Sequence, residues 1–212
     1  KVFENFNSGN TVGVFQTDAA AYRNLIERMG IDDFNDLVVS NALVRPGALL
    51  SQGERYISCK RGLESPYYPD ESVRFILEET YGTVIFQEQL MQMCVSLSGF
   101  SWSDADRLRK IIGKKRDVAE FDKFKDQFVN NSVLPKAEAK KMWSEFELSA
   151  LYMFNKSHAV AYSMLSYQTM WLKVNYPLEF VWSLLYNEDA TDKITAYLME
   201  AQRLGEIGRA HV

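Results

Sequence analysis

The sequence predicts an all-α fold, a multi-helical domain with one irregular loop region. Three observations carry that expectation. Glycine and proline together make up 16 of 212 residues, against an average usage of about 12%, so turn-forming residues are scarce. Apolar residues recur at i, i+3 and i+4 along most of the chain, the period of a helix with one buried face. No stretch alternates apolar and polar residues in the way a half-buried strand requires. A hydrophobic content of 47% with 25% charged residues excludes a disordered chain, and 212 residues are enough to enclose a core.

Residues 1–30 carry helical patterning interrupted at Gly9 and Gly13. Asp18 is placed to cap a helix over 19–29 that ends at Gly30. Asp32 and Asp33 open the next, with Phe34, Leu37, Val38 and Ala42 on its apolar side, and Arg45-Pro46-Gly47 is a turn signal that stops it. Residues 48–70, with Gly53, Gly62, Pro66 and Pro69, form the loop-rich part. A short helix over 71–79 and a longer one over 84–97 follow, the latter offering Ile85, Leu90, Met93 and Leu97 for burial. Ser101 or Ser103 caps the next helix, whose first turn carries Asp104 and Asp106, a favourable charge there. Gly113 ends it. Residues 117–130 are amphipathic through Val118, Phe121, Phe124 and Phe128. Pro135 opens a helix through Trp143 and Phe146. Ser157 caps a long helix to Asn175, Pro177 starts another, and Asp189 or Thr191 precedes the last. These signals predict about nine to eleven helices.

Two cysteines, Cys59 and Cys94, lie far apart without a CxxC pattern, which fits a reducing compartment and excludes a zinc ribbon. No apolar run reaches the ~20 residues of a membrane span and no signal peptide opens the chain, so a cytoplasmic protein with no membrane partner is expected. The tail, residues 206–212, reads EIGRAHV; its back-translation spells a common sequencing adapter, and it is expected to be read-through rather than protein. His158 is then the native histidine, the other being His211.

The net charge is −4, so a polyanion ligand needs locally concentrated cations. The run Arg107-Leu108-Arg109-Lys110-Ile111-Ile112-Gly113-Lys114-Lys115-Arg116 has six basic residues and no acidic one. Leu108, Ile111 and Ile112 face the core at i, i+3 and i+4, and the cations project as a ridge suited to phosphates; the other reading is a solvated charged face. Phe154-Asn155-Lys156-Ser157-His158 precedes a long helix, whose free N–H groups attract anions. Tyr152, Phe154 and Tyr162 are near enough in sequence to stack on a base, although aromatics at this spacing also serve as core. Arg45 stands before a rigid turn and can be aimed at a phosphate. Gln87, Glu88 and Gln89 open a helix and can hold backbone or sugar groups. Asp104 and Asp106 point about 200° apart on a helix, a poor metal pair, and neither a P-loop nor a G-x-G-x-x-G is present.

In order, the stretches TVGVFQTDAAAYRNLI (11–26), ALVRPGAL (42–49), ILEETYGTVIFQEQLMQM (76–93), LSGFSWSDADRLRKIIGKK (97–115) and FNKSHAVAYSMLSYQTMWLKVNYPLEF (154–180) resemble the alpha subunit of bacterial DNA polymerase III, the C-family replicative polymerase. The resemblance covers nearly all of residues 1–190. The family commonly has RPGP and YQEQ, where this chain has Ala48 and Phe86, and two arginines where Arg109-Lys110 stand. Leu151 and Met153 replace the glycines of GYGFNKSH. A divergent member, from a bacteriophage or plasmid, is the expectation.

The resemblance implies that residues 1–30 are the end of a palm and start of the fingers, and residues 31–205 the helical fingers domain. It implies DNA-directed DNA polymerase (nucleotidyltransferase) activity in DNA replication for the parent. Primer–template DNA, dNTP, a sliding clamp and other replisome subunits would be partners. Mg²⁺ would be held by palm aspartates upstream of Lys1, leaving no catalytic or metal-binding residue here and an inactive fragment. Arg45, Arg107, Arg109, Lys110, Lys114 and Lys115 would surround the triphosphate or template backbone, and Gln87 and Asn155 would be further nucleotide- or DNA-binding residues. Lys156 and His158 would lie beside the nascent base pair, with Tyr152 and Tyr162 near the base. The alternative is a non-catalytic helical module binding nucleic acid or protein.

Overall fold

The computed structural model describes residues 1–112 and 118–205. Their regular structure is helical. In chain order come α1 (Val2–Asn7), α2 (Ala20–Met29) and α3 (Phe34–Leu43). Then follow α4 (Pro46–Ala48), a π turn (Leu49–Gly53) and α5 (Glu54–Lys60) without a break. A 3-10 turn (Glu71–Val73), α6 (Arg74–Leu77) and a second 3-10 turn (Glu78–Thr80) lead to α7 (Gln87–Ser98). The rest is α8 (Trp102–Ile112), α9 (Val118–Asn131), α10 (Lys136–Ser149), α11 (Lys156–Asn175), α12 (Pro177–Tyr186) and α13 (Thr191–Arg203). The all-α expectation holds; the extended pairing among the described residues is one parallel bridge between Phe86 and Phe154. Gly113 and residues 206–212, expected as a helix end and a read-through tail, lie outside the described residues.

Residues group into two compact units: Lys1–Ser40 with the described part of Val160–Val212, and Asn41–Ala159. In the first, Phe6, Tyr22, Leu25, Ile26, Ile31, Leu37, Met170 and Val181 are buried. In the second, Leu90, Met93, Cys94 and Leu97 of α7 join Leu108 of α8, Phe128 of α9 and Trp143 and Phe146 of α10 in one cluster. The apolar spacing that predicted α7 to α10 thus marks their buried faces.

The structure corrects several sequence expectations. The stretch 46–60, expected as a turn followed by loop, is helical. Pro46 occupies the first helical position, where its missing N–H costs nothing. A Cβ on Gly53 would stand 2.7 Å from Leu49 Cδ1, so the glycine tightens a π turn rather than breaking a helix. Helix α2 begins at the cap residue Ala19 without help from Asp18, whose carbonyl instead accepts from Arg23. Helix α11 is capped by Asn155, not Ser157: the Asn155 Oδ1 accepts the His158 N–H at 2.9 Å. Asp33 and Ser101 do cap their helices, accepting from Asp36 N at 2.9 Å and Asp104 N at 3.1 Å.

Candidate functional site

Three cations from distant stretches of the second unit meet at the Phe86–Phe154 bridge. The bridge itself is two backbone hydrogen bonds, Phe154 N to Ile85 O at 3.0 Å and Gln87 N to Phe154 O at 2.9 Å. Arg45 lies over the Phe154 ring, 4.6 Å from its centroid, and donates to the Tyr152 carbonyl at 2.6 Å. Burial lowers its pKa, but a guanidinium keeps its charge regardless. Lys156 Nζ lies 5.7 Å from the Phe86 ring centroid and contacts both Glu79 carboxylate oxygens at 2.6 Å. Arg109 donates to Gln87 Oε1 at 3.2 Å and to Asp106 Oδ1 at 2.7 Å. Ring faces attract cations, so Phe86 and Phe154 help to fix two of them.

The motif Phe86-Gln87-Glu88-Gln89 divides its labour. Gln89 is buried: its Oε1 accepts from Ile85 N and Phe86 N, and its Nε2 donates to Ile76 O and Thr80 Oγ1. It holds the bridge strand in place. Glu88 accepts from Asn155 Nδ2 at 2.8 Å and Lys156 N at 2.9 Å. The amino end of α11, expected to offer its N–H groups to an anion, thus has Lys156 N on Glu88 and His158 N on Asn155. An anion arriving there meets side chains first. His158 is exposed, with its ring 5.4 Å edge-on from Phe154.

The remaining candidates are placed differently. Lys110 pairs with Asp106 Oδ2 at 2.6 Å and Arg107 with Glu120. Hydrogen bonds from Lys110 and then Arg109 hold the Asp106 carboxyl below its ordinary pKa. Tyr162 belongs to the other unit, its ring 5.3 Å from Phe15. Lys114 and Lys115 lie outside the described residues. Sequence reasoning named Asp106 and Glu88 but not their pairings with these groups, and did not name Glu79. Asp106 was legible, since it stands three and four residues before Arg109 and Lys110, the helical neighbour positions. Glu79 and Glu88 reach Lys156 and Asn155 from 77 and 67 residues away, which no local pattern announces.

No group of three or more His, Cys, Asp or Glu side chains suited to a metal occurs among the described residues. Asp106 is engaged by two cations, so the donor set here does not fit Mg²⁺. No helix among them is long and apolar enough to cross a membrane.

Fold and site together define a helical module that fixes cations around a short backbone bridge. Residues 1–134 match the family described as the bacterial DNA polymerase III alpha subunit finger domain, and the chain belongs to that family. It is 39% identical to the DNA polymerase III subunit alpha of Aquifex aeolicus over 209 residues, 97% of this chain and 18% of that protein. The subunit of the same name from Campylobacter jejuni is 37% identical over 96% of this chain and 17% of its own length. For Xylella fastidiosa the identity is 40% over 94% and 17%. The chain therefore spans less than a fifth of these relatives.

Proposed function

We propose that this chain is the part of a replicative DNA-directed DNA polymerase that grips the incoming dNTP triphosphate and the adjoining primer–template. The observation that carries the reading is the meeting of Arg45, Arg109 and Lys156 at the Phe86–Phe154 bridge, in a chain of this family. Cations fixed by rings and amides are already ordered before a polyanion arrives, which lowers the entropic cost of binding. Lys156 and Arg109 are each about a third exposed in their ion pairs, so a phosphate can compete for them.

In this reading the charges neutralise the negative charge that builds on a pyrophosphate leaving group. Phosphate contacts carry no sequence information, as copying any template demands. Mg²⁺, the clamp and the chemistry of bond formation belong in this reading to other parts of the parent, and the chain alone has no polymerase activity.

The test is dNTP binding to the chain by isothermal titration, with nucleoside as control. Arg109→Ala and Lys156→Ala should each weaken dNTP binding about tenfold, the scale of one charge-assisted contact. Affinity for primed DNA should fall steeply with salt. Equal affinity of both variants and the unaltered chain for dNTP would remove the cluster from the site.

A further inference from the structure

The molecule holds two kinds of ion pair. Lys173 and Glu200 are sealed, with side chains 0% and 5% exposed. The pairs of the cation cluster are open: the side chains of Lys156 and Glu79 are each 33% exposed, and those of Arg109 and Asp106 30% and 35%. A pair so open to water adds little to the stability of a fold. Yet these open pairs are close and directed. Lys156 Nζ stands 2.6 Å from both oxygens of Glu79. One oxygen of Asp106 accepts from Arg109 Nε at 3.0 Å and from Nη2 at 2.7 Å, and its other oxygen meets Lys110 Nζ at 2.6 Å. A guanidinium fork on one oxygen with an ammonium on the next is an arrangement that a phosphate also accepts. Arg45 is held instead by neutral groups, the Tyr152 and Ala42 carbonyls and the Phe154 ring.

The fold places both carboxylates. Gln89 serves the two sides of the Glu79–Lys156 pair. Its Nε2 donates to Thr80 Oγ1 at 2.7 Å, and that hydroxyl donates to the Thr83 carbonyl at 2.7 Å, which pins the 3-10 turn that carries Glu79. Its Oε1 accepts from Ile85 N and Phe86 N, beside the bridge to Phe154 that leads into Lys156. Asp106 precedes Arg109 by three residues on α8 and so lies on its face of the helix. We infer that Glu79 and Asp106 are internal stand-ins for phosphate, which occupy Lys156 and Arg109 and set a threshold that an incoming polyanion must exceed. A singly charged anion gains no more from one of these cations than the carboxylate already there. A polyphosphate brings several charges and displaces it.

This inference rests on the triphosphate-grip reading and adds the control of that site. Two roles for the acids predict opposite signs. If Glu79 and Asp106 only hold the cations in place, removing their charge loosens the cations and weakens anion binding. If they compete with the ligand, removing their charge strengthens it. The probe is inorganic tripolyphosphate, titrated calorimetrically into the whole chain, which separates charge from any contact with base or sugar. Glu79→Gln and Asp106→Asn keep the shape of each side chain. Each should tighten binding about fivefold, the scale of one exposed ion pair, and the double variant should bind more tightly than either. Glu138→Gln removes an exposed acid from α10 and should leave the affinity unchanged.

A second measurement needs no variant. In the unaltered chain the side-chain carboxyl ¹³C resonances of Glu79 and Asp106 should move as tripolyphosphate is added, and far less with sodium chloride at the same ionic strength. Binding that is unchanged or weaker in both variants, an equal gain in Glu138→Gln, or carboxyl resonances that ignore bound tripolyphosphate would each overturn the inference and leave the grip standing. No binding of tripolyphosphate by the unaltered chain or by any variant would remove the grip as well.

Discussion

Gly82 has no room for a side chain. Its φ is +77°, and a Cβ would stand 2.4 Å from the Tyr67 carbonyl oxygen, an atom that cannot swing away. Gly9 has a similar φ of +71° with nothing within 4 Å. Gly9→Ala should therefore cost about 1 kcal/mol, the price of left-handed backbone alone, and Gly82→Ala clearly more. Urea melts of the two variants read the difference, and equal losses would mean that the Tyr67 contact gives way. A second residue-scale case is Lys173, whose buried ammonium meets Glu200 at 2.7 Å and the Val12 carbonyl at 2.8 Å. Burial pushes the Glu200 carboxyl up, but hydrogen bonds from Arg203 and Lys173 outweigh it and leave its pKa below the ordinary 4.5. The unfolded chain then takes up the proton first as pH falls. This stabilisation is complete above pH 4.5 and is lost as pH drops through the folded-state value. Glu200→Gln should cost about 3 kcal/mol at pH 7, since it strands a buried charge. It should also flatten the acid limb of stability against pH; an unchanged limb would assign acid sensitivity elsewhere.

At the scale of elements, the helix start at Asn155 separates two readings of the same motif. Asn155→Ala should lower stability by about 1 kcal/mol and Ser157→Ala hardly at all, measured by thermal unfolding; the reverse order would restore Ser157 as the cap. The sequence reading chose Ser157, but Asn155 and Ser157 are both competent caps, and the choice is made by Glu88 arriving from α7 to bind Asn155 and Lys156. Apolar spacing made α7 to α10 legible because one buried face is enough to write it. The stretch 46–60 was illegible because Pro46 and Gly53 suit both a turn and a helix start with a π turn. The basic ridge was legible as a charge run, yet its electrostatics were not. Asp106 stands outside the run in sequence but on the same helical turn as Arg109 and Lys110, and Glu120 comes from the next helix to meet Arg107.

For the whole molecule, the two units differ in how the chain builds them. The second is one continuous stretch, Asn41–Ala159, with its own cluster of buried side chains. Expressed alone, residues 41–159 should give a cooperative thermal transition, whereas residues 1–40 alone should not. A featureless melt of the 41–159 piece would show that its core needs the rest of the chain. The cation cluster is assembled from residues of this stretch.

The other unit is closed by Arg203, which bonds Asn10, and by Lys173, which reaches back to Val12 across 161 positions. A ribosome delivers Asn10 193 positions ahead of Arg203. Residues 1–40 must wait while residues 41–159 are synthesised and fold behind them. Their partners emerge only after residues 41–159 have been made, so this unit is the one that a chaperone would have to shelter.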